Sequence, residues 1–225
     1  MPYLTSYESN PTLVEPARAQ VAWVALWVMT SVWVLFQAAR FGEDTVKKGL
    51  GAYFLSGGMS GFRQMLQIWA ACMTFLLPMV AIAVAVCIFG AMPGAASERA
   101  EWMVTNFQYA ALFLLVMAPI VLLAVSLGSR FGATIGYVLP LAFVVYGVFG
   151  VNYVDMLAES RNSAVINWIY TLSPHVHLAD LTPRLVFKQG SMNWSEFMQV
   201  ALYFVGLKLV LSTVSCAGFR VKPAA

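Results

Sequence analysis

The two histidines of the chain lie close together in the segment TLSPHVHLADL, residues 171–181. His175 and His177 are followed by Asp180, and imidazole and carboxylate groups can bind metals or transfer protons. On a helix the two rings would point about 200° apart, so they could share one metal only in an extended stretch. A closed tetrahedral zinc site also needs four ligands, and Asp180 is the only further candidate nearby in the sequence. The pattern therefore favours a structural role, with substrate contact or a response to pH as the alternative.

The composition of the chain indicates the environment of these residues. Of 225 residues, 60% are hydrophobic and 10% are charged, whereas roughly 25% are charged in a soluble domain. We therefore expect one all-α integral membrane domain comprising residues 1–225. The formal charge of +3 is small and its basic residues are scattered, which argues against nucleic acid as a partner.

Five apolar runs are long enough to form helices across a hydrocarbon core about 30 Å thick. They cover approximately residues 19–39, 65–89, 107–127, 131–153 and 197–219. Proline lies inside three of the runs, which membrane helices tolerate. The sequence thus predicts a polytopic bundle of five transmembrane helices, or six if an initial helix is missing.

Basic residues in the short connections predict the orientation of this bundle. Alternating crossings bring seven of them to one side: Arg40, Lys47, Lys48, Arg63, Arg130, Arg220 and Lys222. Because basic loops stay in the cytoplasm, we expect a multi-pass protein of the inner cell membrane with a cytoplasmic C-terminus. Residues 164–187 then form an external short or re-entrant helix, with Pro174 in its first turn.

The connection between the first two spans, residues 40–63, reads RFGEDTVKKGLGAYFLSGGMSGFR. Leu50, Tyr53 and Phe54 have the spacing of one apolar helical face. This spacing predicts a short helix at the cytoplasmic interface, and an ordinary amphipathic linker is the alternative.

The motifs of this connection resemble those of permease subunits of type-2 ABC exporters. In that family a connecting helix carries an acidic residue, a Gly-Thr-like pair, a Leu-Leu-Ser element and Pro-x-Ser-Arg. Here Glu43, Asp44 and Thr45 are followed by Phe54, Leu55 and Ser56 and by GGMSGFR, residues 57–63, with two glycines in place of the proline. Such permeases also often end with an external Leu-Ser-Pro element, a final span and a cytoplasmic Phe-Arg/Lys tail. This chain has LSP at residues 172–174, its last span, and the tail FRVK at residues 219–222. The resemblance covers approximately residues 19–222.

The resemblance implies a transport subunit that is not itself an enzyme and that forms the substrate pathway of an ATP-driven exporter. The sequence lacks the phosphate-binding motif G-x-x-x-x-G-K-[ST], so ATP and Mg²⁺ are expected in a partner ATPase and no cofactor is expected in this chain. The further partners implied are a second copy or a related permease, surrounded by membrane lipids. The expected ATPase-coupling residues are Glu43, Asp44, Thr45, Phe54, Leu55 and Ser56.

Lys208 lies near the middle of the last predicted span. A charge at this depth costs at least ~2.5 kcal/mol on insertion scales, and such residues usually face a bundle interior or water. Lys208 is therefore a candidate pathway residue. The alternative is a side chain that extends toward the cytoplasmic side.

Three glycines, Gly128, Gly132 and Gly136, recur every four residues around Arg130. We expect Gly132 and Gly136 to permit close contact between helices, and Gly128 to make the turn between two spans.

Two other functions are compatible with parts of the sequence. The first is a membrane enzyme that acts on lipid-linked groups at the outer face, with His175, His177 and Asp180 as its centre. That hypothesis requires several converging polar residues, and the chain has few beyond this cluster. The second is a membrane-anchoring assembly subunit, which would not require the long connection at residues 40–63.

Overall fold

The computed structural model describes residues 14–161 and 163–222. Five of the helices in these ranges are long and apolar enough to cross a membrane: α1 (Val14–Lys47), α3 (Gly61–Gly90), α4 (Ala96–Phe131), α5 (Ala133–Ser160) and α8 (Trp194–Gly218). The shorter helices are α2 (Leu50–Ser56), α6 (Ala164–Leu172) and α7 (Thr182–Val186). The described residues contain no β-strand, and the prediction of an all-α bundle with five spans is confirmed.

Helix α4 is the centre of the bundle. Its most apolar stretch is 67% buried within the chain, compared with 17% for that of α8. Helices α1, α3, α5 and α8 all pack against it. A helix surrounded in this way is apolar on every side, which explains why α4 has no single hydrophobic face.

Small residues bring the backbones of α1 and α4 into direct contact. A Cβ atom at Gly42 would overlap the carbonyl oxygen of Val125, and one at Gly128 would overlap that of Ala39. No side chain fits at either position unless the neighbouring backbone moves. The two helices therefore require glycine at both crossing points.

Two of the three glycines around the turn between α4 and α5, Gly128 and Gly132, have roles other than those predicted. Gly132 makes the turn, because its φ of 91° is one that glycine adopts readily. Gly128 lies inside α4 and contacts α1, so the prediction that it makes the turn was wrong. Gly136 does pack between helices, since its Cβ would lie 2.5 Å from the amide nitrogen of Gly128.

Serine side chains fasten α8 and the following residues to α4. The Ser126 hydroxyl donates a hydrogen bond to the carbonyl of Ser215 at 2.8 Å. The backbone N–H of Arg220 donates to the hydroxyl of Ser129 at 3.0 Å. We call this end of the bundle, which also holds α2, the basic end, and the opposite end, which holds α6 and α7, the histidine end.

Replacement of Gly128 by alanine tests the contact between α1 and α4. We expect Gly128→Ala to lower the stability of the purified protein by about 1–3 kcal/mol, because the added methyl group overpacks a backbone contact. Gly206→Ala is the matched control, since no atom lies within 4 Å of a Cβ at that exposed position of α8. Thermal unfolding in detergent gives the melting temperatures of both variants and of the wild type. Equal melting temperatures for the two variants would contradict this account of the helix contact.

Candidate functional site

The histidine segment, residues 164–187, is broken into short pieces. Helix α6 ends at Leu172, a 3₁₀ turn covers Val176–Ala179, and α7 follows. The sequence predicted Pro174 in the first turn of a helix. In the structure Pro174 lies between α6 and the 3₁₀ turn, so this prediction was wrong. The reason is local: a residue before proline avoids the helical conformation, and Ser173 has an extended ψ of 146°.

The two histidines lie side by side among aromatic rings. Their ring centroids are 5.5 Å apart, and the ring of His175 lies 4.7 Å from that of Tyr170. The backbone N–H of His175 donates a hydrogen bond to the hydroxyl of Tyr203 on α8 at 3.0 Å. These contacts attach the histidine segment to α8.

His177 is the more enclosed of the pair. Burial lowers the pKa of its imidazole, and the neighbouring charge of His175 acts in the same direction. Its Nδ1 atom is buried without a hydrogen-bond partner among the described residues. The neutral form of His177 is therefore favoured over a wider pH range than for a histidine in water.

The side chain of Asp180 forms its hydrogen bonds with α4 and with the start of α7, not with the histidines. Its Oδ1 atom accepts a hydrogen bond of 2.5 Å from the hydroxyl of Tyr109 on α4 and one of 3.0 Å from the N–H of Thr182. Across residues 14–161 and 163–222, no three His, Cys, Asp or Glu side chains are grouped so that they could hold a metal ion. The predicted trio is thus divided between two environments.

Tyr109 is the centre of a buried cluster that joins three helices. Its ring stacks on Trp23 of α1 with centroids 3.8 Å apart. Its hydroxyl accepts a hydrogen bond from the indole N–H of Trp27 at 2.9 Å and lies 2.9 Å from the hydroxyl of Thr182 in α7. The cluster therefore holds α7 against α1 and α4, with Asp180 as its charged member.

Sequence reasoning missed Tyr109, although a signal was present in NFQY, residues 106–109. Polar side chains at the start of an apolar span need hydrogen-bond partners. Asn106 accepts from the indole of Trp23 at 2.9 Å, and Gln108 makes two hydrogen bonds of 2.9 Å with the backbone of Met192. This short stretch of α4 is where the neighbouring segments at the histidine end attach.

At the basic end, the prediction of a short helix after Lys48 is confirmed. Helix α2 begins after Gly49, whose φ of 69° turns the chain away from α1. The apolar side chains of Leu50, Tyr53 and Phe54 are exposed, and that of Tyr53 is 72% exposed. The chain therefore presents an aromatic surface outside its membrane spans.

The predicted coupling residues are divided between this surface and the interior. Phe54 and Ser56 are exposed, whereas Leu55 is half-buried. Thr45 is buried and donates its hydroxyl hydrogen bond to the carbonyl of Phe41 at 2.8 Å. The structure does not bring all six residues to one face.

The two acidic residues of that set pair within α1. Glu43 forms an ion pair with Lys47 at 2.5 Å, and Asp44 forms one with Lys48 at 2.8 Å. A Cβ at Gly132 would lie 3.3 Å from Oε1 of Glu43, so this carboxylate stands at the first turn of α5. A negative charge stabilises a helix N-terminus, which gives the half-buried Glu43 a role at the turn between α4 and α5.

Lys208 lies on the exposed surface of α8, fourteen residues after Trp194. It belongs to none of the ion pairs formed between described residues. Only Phe204, Leu211 and Ser215 of α8 are buried in the chain. Lys208 therefore points out of this bundle and not into its core.

Comparison of the chain with protein-family models, curated proteins and solved structures gave no match.

Replacement of Tyr109 by phenylalanine tests the cluster at the histidine end. Tyr109→Phe keeps the stacked ring but removes the hydroxyl that Trp27, Asp180 and Thr182 share. We expect a loss of about 1–3 kcal/mol of stability, because buried polar groups lose their partner. Tyr153→Phe is the control, since Tyr153 is 60% exposed. Thermal unfolding followed by tryptophan fluorescence measures both variants. An unchanged melting temperature for Tyr109→Phe would contradict the structural role of the cluster.

Proposed function

We propose that the chain is a membrane-spanning subunit of an ATP-driven exporter of the type-2 ABC class, which couples to a separate ATPase. The observation that carries the proposal is the exposed aromatic face of α2 at the basic end of the bundle. Exposed aromatic side chains in a polar setting are typical of protein interaction sites. The resemblance of residues 40–63 to the connecting helix of such permeases indicates which partner binds there.

Contacts connect helix α2 to the start of α3 and to the tail after α8. The amide of Gln64, at the start of α3, donates hydrogen bonds to the carbonyls of Gly51 and Met59 at 3.2 Å and 3.1 Å. A Cβ at Gly51 would lie 2.5 Å from the carbonyl oxygen of Val221. An ATPase that moves α2 therefore also moves α3 and the tail after α8.

Helix α4 connects the basic end of the bundle to the histidine end, so it can transmit a movement between them. It contacts α1 through Gly128 near the basic end and holds Asp180 through Tyr109 at the histidine end. In the proposed mechanism, closure of the ATPase on α2 shifts α1 against α4. The histidine segment then opens or closes the outer end of the substrate pathway.

A second membrane chain completes the pathway in this proposal. Most of α8 is exposed, and Lys208 stands in the middle of that exposed surface. A second copy or a related permease would cover α8, and Lys208 would meet an anionic group of that chain or of the substrate. The basic end lies in the cytoplasm of a multi-pass inner-membrane protein, where the partner binds ATP and Mg²⁺.

Replacement of Phe54 by alanine tests the coupling surface. We expect Phe54→Ala to weaken binding of the ATPase on the order of ten-fold, because an exposed aromatic anchor of an interface is lost. Phe89→Ala is the matched control, since Phe89 is 87% exposed at the end of α3 opposite the basic end. The measurement is the amount of ATPase recovered with the tagged chain from detergent-solubilised membranes.

Recovery of the ATPase in equal amounts with wild type, Phe54→Ala and Phe89→Ala would remove α2 as the binding surface. Recovery of no ATPase with the wild-type chain would contradict the proposed function itself.

A further inference from the structure

A groove opens on the side of the bundle between α1, α5 and α7. Its volume is about 570 Å³, within the range of roughly 300–1,000 Å³ typical of small-molecule sites. Along α1 its lining extends from Gln20 to Val32, a length of about 18 Å at the helical rise. The groove is therefore large enough, and long enough, for an alkyl chain.

The walls of the groove are apolar, and both contain a departure from regular helix. The π-helical turn Thr30–Val34 of α1 supplies Ser31 and Val32, and the π-helical turn Tyr146–Gly150 of α5 supplies Val148 and Phe149. Such turns frequently occur at functional sites. The side chain of Phe149 is 71% exposed and is open to a ligand.

Among the residues that the structure describes, Asp180 is the one charged residue in the lining of this groove. Its Oδ1 atom is fixed by Tyr109 and Thr182. Among described residues, no lysine, arginine or histidine forms an ion pair with it. A carboxylate beside an apolar surface is stabilised by a cation, and Trp27 in the same lining adds an aromatic ring that attracts ammonium groups.

We propose that this groove binds a lipophilic ammonium compound. The alkyl chain lies between α1 and α5, and the ammonium group lies against the carboxylate of Asp180. This inference goes beyond the proposed export function, because binding requires only the chain itself and no ATPase.

The experiment measures binding of tritiated dodecyltrimethylammonium to the purified chain in nanodiscs of phosphatidylglycerol, a lipid without an ammonium group, with binding to empty nanodiscs subtracted. Asp180→Asn removes the charge with little change in shape, because the amide of the substituted side chain retains an oxygen that accepts from Tyr109. We expect the Kd of this variant to rise about ten-fold or more, because a charged partner is lost. Asp155→Asn is the matched control, and its Kd should equal that of the wild type.

A second variant tests the apolar part of the groove and keeps the proposal testable if Asp180→Asn does not fold. Val28 lines the groove and is 53% exposed. Val28→Trp should fill the space and abolish saturable binding. Val205→Trp is the control, because Val205 is 40% exposed on α8, away from the groove. Tryptophan-monitored unfolding checks that each variant is folded.

Two results would overturn the proposal: wild-type binding no greater than that of empty nanodiscs, or equal affinity in the wild type and folded Asp180→Asn. Addition of phosphatidylethanolamine to the nanodiscs identifies the source of the ammonium group. Displacement of the probe supports the site with a membrane aminolipid as occupant. Retention of the probe supports the same site with a soluble amine as occupant.

Discussion

The bundle depends on direct backbone contact between α1 and α4. At Gly42 and at Gly128 the carbonyl oxygen of the opposite helix occupies the space that a side chain would need. In a membrane, helices associate through packing and not through exclusion of water, so contact at this distance is a main source of stability. Both helices are long enough to span the membrane, and the crossing near the basic end together with the stacking of Trp23 on Tyr109 at the histidine end fixes their spacing.

At the histidine end this fixed spacing permits a polar cluster inside an apolar bundle. Trp23 and Trp27 of α1 reach Asn106 and Tyr109 of α4 only if the two helices keep their register. The cost of burying the Tyr109 hydroxyl is offset by its hydrogen bonds to Trp27, Asp180 and Thr182. The histidine segment, which also buries Val176, Leu181 and Leu185 in the core, is thereby held against the bundle, and the carboxylate of Asp180 faces a groove.

The parts of this architecture that depend on local sequence could be predicted. Length and hydrophobicity identify the five spans, and the spacing of Leu50, Tyr53 and Phe54 identifies α2. The parts that depend on contacts between distant residues could not. Gly128 and Gly132 are equivalent in the sequence, and only the crossing with α1 decides which of them packs and which of them turns.

In the candidate site, too, the features set by local sequence could be predicted and those set by distant contacts could not. His175, His177 and Asp180 form a cluster in sequence, but the partner of Asp180 is Tyr109, 71 residues away. The exposed position of Lys208 likewise follows from the packing of the opposite face of α8 on α4. Thr45 was expected at the coupling surface but is buried, and Glu43, which was also expected there, is half-buried beside the turn before α5.

The proposed function rests on contact between α2 and an ATPase. Photo-crosslinking in intact membranes tests it most directly, with a benzophenone amino acid in place of Tyr53, which is 72% exposed, and the same substitution at Phe89 as the reference position. We predict that position 53 captures a polypeptide containing G-x-x-x-x-G-K-[ST] and that position 89 does not. Capture at position 53 of lipid alone, or of a protein without that motif, would contradict the proposed contact between α2 and an ATPase.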